Sequence, residues 1–484
     1  MSKQKSIATN SIWYLCYQVF NVLFPFIMTL YGARVLLPAA VGTVFSAQNI
    51  TNYFAILAFL GIPTYGRREI SKARNDRLAL SKLYSELFVI NAISTLFFCI
   101  AYVALILTFP DFRTQLPLYL VTGGAVVLNF LNNSWLFEGL EEFKFISIRN
   151  IIFKFISLIL LFIFVKSHDD YLLYALILVI GTAGNYILNV AYAPSLVTFT
   201  FKNLDIRRHL DPIFALLAVN IAIELYSLVD VTMIRFIKGE TNVAYYSYAQ
   251  GINKILQQVI NTFTIVVVPR LALYYKEHKQ NEFNNLISKS LTTILALALP
   301  MIVGVEIVAR TAIVALYGIE YEPSVPVLRL LIVLLTIAPI GYLLGSRVLL
   351  VANQEKKMAA CVWIGAIINI IGNSILIPIY AERGAAIASV LSEICVAVVY
   401  VIIGHKYFTI SFNWLNWGKI ILATLFMGGA ALGSGLLTDN LLLKLIVQMA
   451  AGAMTYFVVL MVTKEDMITE YWGRITSKKT EQLY

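Results

Sequence analysis

Charge is what this chain has least of. Asp, Glu, Lys and Arg make up 13% of its 484 residues, where soluble domains carry about a quarter. No connection between its apolar runs is long enough to hold a soluble catalytic domain. The four cysteines, Cys16, Cys99, Cys361 and Cys395, are scattered through apolar stretches without CxxC spacing. Neither a metal site nor a disulfide framework is suggested. The four histidines, His168, His209, His278 and His405, fall in loops or at the ends of apolar runs, and the expectation for each is a solvated side chain rather than a metal ligand. A Gly-rich phosphate loop and clustered carboxylates are also missing, which counts against a membrane enzyme. The net charge of +10 is not gathered on a folded basic face, as nucleic-acid binding requires.

What fills the chain instead is apolar. Hydrophobic residues reach 59%, and a bilayer core about 30 Å thick takes about 20 apolar helical residues per crossing. Fourteen stretches of that length are expected: 11–33, 43–66, 84–109, 116–138, 146–165, 172–196, 212–234, 243–268, 287–309, 327–350, 359–379, 384–403, 418–437 and 441–463. Polar residues interrupt 116–138 and 327–350. The first run is too long for a cleaved signal peptide, and Gln18 and Asn21 lie within it. Alternating sides put nine bases opposite the N-terminus: Arg34, Arg113, Lys166, Arg235, Lys238, Arg310, Arg329, Arg383 and Lys444. Lys154, Lys254 and Arg347 are the ones deep inside spans, and with bases near span ends counted to the nearer side 25 of the 37 are left on the N-terminal side. By the positive-inside rule both termini are expected in the cytoplasm, with the chain in the cell membrane.

The halves repeat each other. Shifted by 202 residues, Val41–Ile50 lies against Val243–Ile252, with Val, Ala, Gln and Ile coinciding, and Arg68 meets Arg270. Arg34 and Arg235 fall within one position of each other. Six spans per half make the repeat parallel, with its axis along the membrane normal, and substrate sites in such transporters lie between halves near the midplane. The fold expected is all-α: two six-helix lobes, residues 1–199 and 200–408, with two extra helices and a tail in 409–484.

Several ordered blocks then point to one family. Tyr31-Gly-Ala-Arg34 through Pro38 to Gly42 is similar to the opening block of bacterial polysaccharide flippases, the O-antigen and capsule repeat-unit translocases related to multidrug exporters and lipid II flippases. Leu60–Ile70 resembles the family's end of helix two. Trp135-Leu-Phe137-Glu138-Gly139-Leu-Glu141-Glu-Phe143 resembles its aromatic-acidic block. Asn369, Asn373, Ile377-Pro378 and Gly384–Ala388 resemble its late block. The resemblance covers residues 5 to 405. Two positions depart from it: Leu37 stands where glycine usually precedes the proline, and Arg347 where a neutral residue is usual. The resemblance implies translocation of a polyprenyl-pyrophosphate-linked oligosaccharide. A small-molecule cation antiporter of the same fold is the alternative.

Charged residues inside spans are expensive and usually face the protein interior or a watery cavity. Lys154, Lys254 and Arg347 either bind the pyrophosphate or snorkel. Arg34 and Arg235 either hold the diphosphate through the guanidinium fork or anchor at the interface. Gln250, Gln257 and Asn261 share a helical face with Lys254 and form the candidate cavity wall, the competing role being to bridge helices. Tyr245, Tyr246 and Tyr248 either stack on sugars or belong to the interfacial belt. Asp230, Glu224 and Glu393 are candidates for H+ or Na+ coupling, with Glu306 a further intramembrane acid; partners for the bases are their other role. Arg68 and Arg270 are candidates for flanking a cytoplasmic entrance. No cofactor or metal is called for. The partners expected are the lipid-linked oligosaccharide and membrane lipids, with a polymerase and glycosyltransferases alongside.

Overall fold

The computed structural model describes residues 7–466 and Thr469, and every regular element among them is helical. Contacts divide the chain into two compact units, one ending at Ala244 and the other beginning at Tyr245. The first holds α1 (Ile7–Phe59), α2 (Ile62–Ala73), α3 (Arg77–Thr108), α4 (Pro110–Arg113), α5 (Leu116–Asn129), α6 (Ser134–Gly139), α7 (Phe143–Phe164), α8 (Tyr171–Ala183), α9 (Ile187–Leu196) and α10 (Arg207–Lys238). The next helix, α11 (Glu240–Lys276), starts in the first unit and runs into the second. There follow α12 (Gln280–Tyr317), α13 (Ser324–Leu331), α14 (Leu334–Gly341), a π-helical turn (Tyr342–Arg347), α15 (Val348–Val351), α16 (Glu355–Tyr380), α17 (Glu382–Gly404), α18 (Trp414–Ser434) and α19 (Leu441–Val462).

Eleven helical segments among the described residues are long and apolar enough to cross a membrane. The all-α membrane architecture therefore holds, while the count of fourteen is not reached. Part of the difference is physical. Spans one and two lie on the single element α1, broken only at Leu37, whose φ of 64° and ψ of 166° are non-helical. That backbone region is essentially reserved for glycine, and Pro38 follows it. The stretch 116–138 stops being continuous helix at Asn129. Asn129 Nδ2 donates to the Ala55 carbonyl at 3.1 Å, and Asn132 Oδ1 accepts from the Ser134 hydroxyl at 2.6 Å. The polar residues that interrupted the apolar run thus also end the helix.

The two units share a construction detail. In the first, an extended strap follows α9 and is tied to the first turns of α3. The N–H groups of Thr198 and Thr200 donate to Ser81 Oγ and Ser85 Oγ at 3.0 and 2.9 Å. In the second, the strap after α17 is tied to the first turns of α12. There the N–H groups of Thr409 and Ser411 donate to Asn284 Oδ1 and Ser288 Oγ, both at 3.1 Å. Alternate strap residues thus meet acceptors one helical turn apart in both cases. Apolar cores sit beneath each: Leu80, Leu83, Tyr84, Leu87 and Ile90 with Trp135 in the first, and Phe283, Ile287, Leu291 and Ile294 with Leu343 in the second.

The contact boundary falls later than residue 199 because α10 lies on α1. Asn49 Nδ2 donates to the Leu228 carbonyl at 3.1 Å and to Thr232 Oγ1 at 2.7 Å. The final pair, α18 and α19, packs on α12 through Ala296, Ile420, Ala423, Met427 and Tyr456. The Tyr456 hydroxyl donates to the Ala296 carbonyl at 2.6 Å.

Candidate functional site

Polar side chains line the helix seams within each unit. In the first, the α1–α10 seam joins Asn49, Tyr53 and Thr232, the last two 3.0 Å apart. Asp230 is 1% exposed and within electrostatic reach of Tyr53. Glu224, on the same helix, is exposed, so the two acids have different surroundings. Lys154 is buried between α7 and α1, where its ammonium donates to Asn21 Oδ1 and, at 3.3 Å, to the Phe20 carbonyl. The Phe24 ring lies 5.4 Å away. Lys154 therefore does not reach the surface: it is an internal cation with protein partners.

Arg235 is enclosed by protein. Its side chain is 7% exposed and its Nε lies 3.7 Å from Glu240 Oε1. Phe112, Tyr119 and Phe236 surround the guanidinium at 5.0, 5.6 and 4.9 Å. Arg34 is exposed on α1, three residues before the break at Leu37. Arg68 is exposed on α2, paired with Glu69 at 3.0 Å, and lies 5.6 Å from the Tyr65 ring. Arg270 is exposed on α11.

Two groups escaped the sequence reading. Arg149 is 2% exposed; it donates to Asn189 Oδ1 and, at 2.7 Å, to Ser134 Oγ, with Phe137 and Phe145 against its face. It lies in the first turns of a span, where a base is ordinarily interfacial, but Phe137 and Phe145 help to enclose it. The second is a correction. His209 is not solvated; it is buried, 2.9 Å from Glu86 Oε2 and 2.8 Å from the Tyr65 hydroxyl. Glu86 is fully buried and also accepts from Arg208 at 2.5 Å and from the Asp205 N–H at 2.8 Å. The partners come from α2, α3 and α10, and no local pattern links them.

In the second unit, Gln250 Nε2 donates to the Tyr246 hydroxyl at 3.5 Å. A chain of polar groups continues through Ser389, Asn369 and Asn373 at 3.4, 3.4 and 3.0 Å. Tyr246 and Tyr248 are buried, and Tyr248 packs on Tyr317 and Tyr321. They are thus neither belt residues nor an open stacking platform. Lys254 is exposed, with Gln257 and Asn261 half-buried on the same helix. Arg347 ends the π-helical turn half-buried, and Tyr342 in that turn is within electrostatic reach of both Arg347 and Glu393. A π-turn inside an α-helical run frequently marks a functional position. Elsewhere in this unit an open pocket of about 610 Å³ is lined by Arg310, Arg329 and Arg383 together with Glu320 and Glu322. Pairing of Arg310 with Glu322 at 2.6 Å and of Arg329 with Glu306 at 3.4 Å largely compensates its charge. Among the described residues no group of three or more His, Cys, Asp or Glu side chains is placed to hold a metal.

Long apolar helices seamed by buried Asn, Asp, Lys and Arg define a polytopic membrane protein. Solved structures share this fold. A lipid II flippase MurJ in an inward closed conformation aligns with a TM-score of 0.73 at 17% identity, over 94% of this chain and 99% of that one. An inward-facing multidrug resistance MATE transporter aligns with a TM-score of 0.62 at 16% identity, over 82% of this chain and 97% of that one. The family model described as "Polysaccharide biosynthesis protein" matches residues 7–275, more than half of the chain, and the chain belongs to that family. It is 24% identical over 404 residues to a putative O-antigen transporter of Escherichia coli K12, covering 80% of this chain and 94% of that one. It is also 24% identical over 232 residues to the probable low-salt glycan biosynthesis flippase Agl15 of Haloferax volcanii, covering 48% of this chain and 49% of that one.

Proposed function

We propose that the chain is a flippase that moves a polyprenyl-pyrophosphate-linked oligosaccharide repeat unit across the cytoplasmic membrane for surface polysaccharide synthesis, by alternating access and without covalent catalysis. The observation that carries this reading is the family match over residues 7–275. The geometry supports it with polar residues placed on transmembrane helices: Lys254, Gln250, Gln257 and Asn261 on α11 form the wall that meets the sugar and diphosphate. The lobes are those of the repeat, 1–199 and 200–408, with 409–484 appended. Both termini are cytoplasmic, and Arg68 and Arg270 stand at the entrance. Arg34, Lys154 and Arg347 contribute positive potential along the path. Asp230 and Glu393, both buried, are the better candidates for H+ or Na+ coupling; Glu224 is exposed.

The test is reconstitution. Purified protein in vesicles is given a fluorescent lipid-linked oligosaccharide, and transfer to the opposite leaflet is followed with an impermeant quencher. Wild-type protein is expected to accelerate transfer, and Lys254→Glu to abolish it while still inserting. Transfer no faster than in protein-free vesicles sinks the proposal. Efflux of an organic cation in the same vesicles would favour an antiporter instead.

A further inference from the structure

The surroundings of Arg235 are more elaborate than an anchor needs. Three partners from separate parts of the first unit converge on one carboxylate, Glu240. It accepts from Thr43 Oγ1 of α1 at 2.5 Å and from Gln115 Nε2, just before α5, at 3.2 Å to each oxygen. Arg235 of α10 is its third partner. The turn that delivers it is specified by two glycines. Gly239 ends α10 at φ 91°, a conformation open to glycine. Gly42 lies so close to the Glu240 backbone that a Cβ there would collide with its carbonyl.

Of these contacts, the one to Arg235 is the weakest. At 3.7 Å it is long and one-sided, and Arg235 Nη1 is buried without a hydrogen-bond partner. The Tyr119 hydroxyl beside it is buried as well, and its one polar neighbour is the Arg235 guanidinium, in a contact short of good hydrogen-bond geometry. Buried donors of this kind are costly to leave unpaired. A guanidinium fork is matched by the oxygens of a phosphate, which it binds bidentately. If such an anion took Arg235, Glu240 would keep Thr43 and Gln115 and would not be stranded. The aromatic box already fixes the guanidinium, so little side-chain ordering is left for a ligand to impose.

We propose that Glu240 is a built-in competitor for a diphosphate site at Arg235, completed by the Tyr119 hydroxyl: the carboxylate occupies the arginine when the site is empty, and a diphosphate displaces it during transport. This rests on the flippase reading for its source of diphosphate, a prenyl-linked one. Glu240 is a positioning residue, since it acts through Arg235.

Calorimetric titration of the purified full-length protein with inorganic pyrophosphate tests the site without any transport assay. Glu240→Gln keeps an acceptor for Thr43 and removes the competing charge. It is expected to bind pyrophosphate about tenfold more tightly than wild type, equivalent to one decade in Kd. Arg235→Gln and the double variant should lose that binding, with monodispersity on gel filtration as the folding control. Unchanged or weaker binding by a monodisperse Glu240→Gln protein overturns the proposal and makes Glu240 a plain helix-joining residue. Tighter binding that survives in the double variant overturns it too. Farnesyl diphosphate is the second probe: binding tighter than pyrophosphate supports the lipid-linked source, and equal binding overturns it. Vesicles that fail to move lipid-linked oligosaccharide, while the pyrophosphate result holds, would count against the flippase reading and leave the competitor in place.

Discussion

Leu37 shows how one side chain can be at odds with its backbone. Its φ and ψ suit glycine, and conformations of that kind cost a residue with a Cβ of order 1–3 kcal/mol. The side chain is 42% exposed, so removing it gives up little packing. Leu37→Gly is therefore expected to stabilise the protein, by less than the full strain because glycine costs roughly 0.5–1 kcal/mol in unfolded-state entropy. The check is thermal unfolding in detergent, where a lower midpoint than wild type would refute the strain. The sequence had already marked this position, as the place where the family's glycine is missing. Lys154 offers a second residue-scale test. Asn21→Leu leaves an ammonium buried with one carbonyl partner and is expected to cost about 1.5–3 kcal/mol, the value of a hydrogen bond to a charged group. Adding Lys154→Met should recover most of that loss. A double variant no more stable than Asn21→Leu alone would show that Lys154 is held by something else. That a base lay deep in span five was legible; that Asn21 would meet it was not, because 133 residues separate the two.

At the scale of elements, the straps carry the sharpest prediction. Ser85→Ala and Ser288→Ala each remove one acceptor from a strap N–H, and each is expected to cost about 1 kcal/mol. The two losses should add within about 0.5 kcal/mol, since the pairs share no partner. Unfolding midpoints of the two single variants and the double variant decide it, and a strongly non-additive double would mean that the straps are coupled. Long apolar helices were readable because apolar composition at membrane length leaves few alternatives. The repeat is an expectation resting on Val41, Ala47, Gln48 and Arg68 and their counterparts. The straps were not readable, because their bonds run mostly from backbone N–H groups, which every residue but proline has, to single serines and an asparagine that look like ordinary surface polar residues, with only the Thr409 and Ser411 hydroxyls adding side-chain bonds. The buried Glu86–His209–Tyr65 group was missed for a related reason: Tyr65 and His209 sit in the first turns of their helices, where solvation is the ordinary expectation, and Glu86 lies about two turns into α3 at the edge of the expected span 84–109.

For the whole molecule, the asymmetry of basic residues predicts orientation. In a cysteine-free background of intact cells, His168→Cys should react with an impermeant maleimide and Glu277→Cys only after permeabilisation. The reverse pattern would turn the protein over and with it the placing of Arg68 and Arg270. Burial limited what could be read at this scale. Sequence placed Arg235 at the outer edge of a span, whereas the fold encloses it in aromatic rings, a relation no spacing rule reports. The straps have one more consequence, and it concerns variation rather than energy. The first tie, made through main-chain donors, asks nothing of the side chains at 198 or 200 except that neither be proline. The information that positions this strap is stored on the helix it crosses. The second tie also uses the hydroxyls of Thr409, which accepts from Asn284 Nδ2 at 2.7 Å, and Ser411, 3.2 Å from Ser288 Oγ. The sequence at 198 and 200 is thus free to drift, or to be recruited for contacts with other molecules, without loosening these ties, while 409 and 411 are held to hydroxyl-bearing residues.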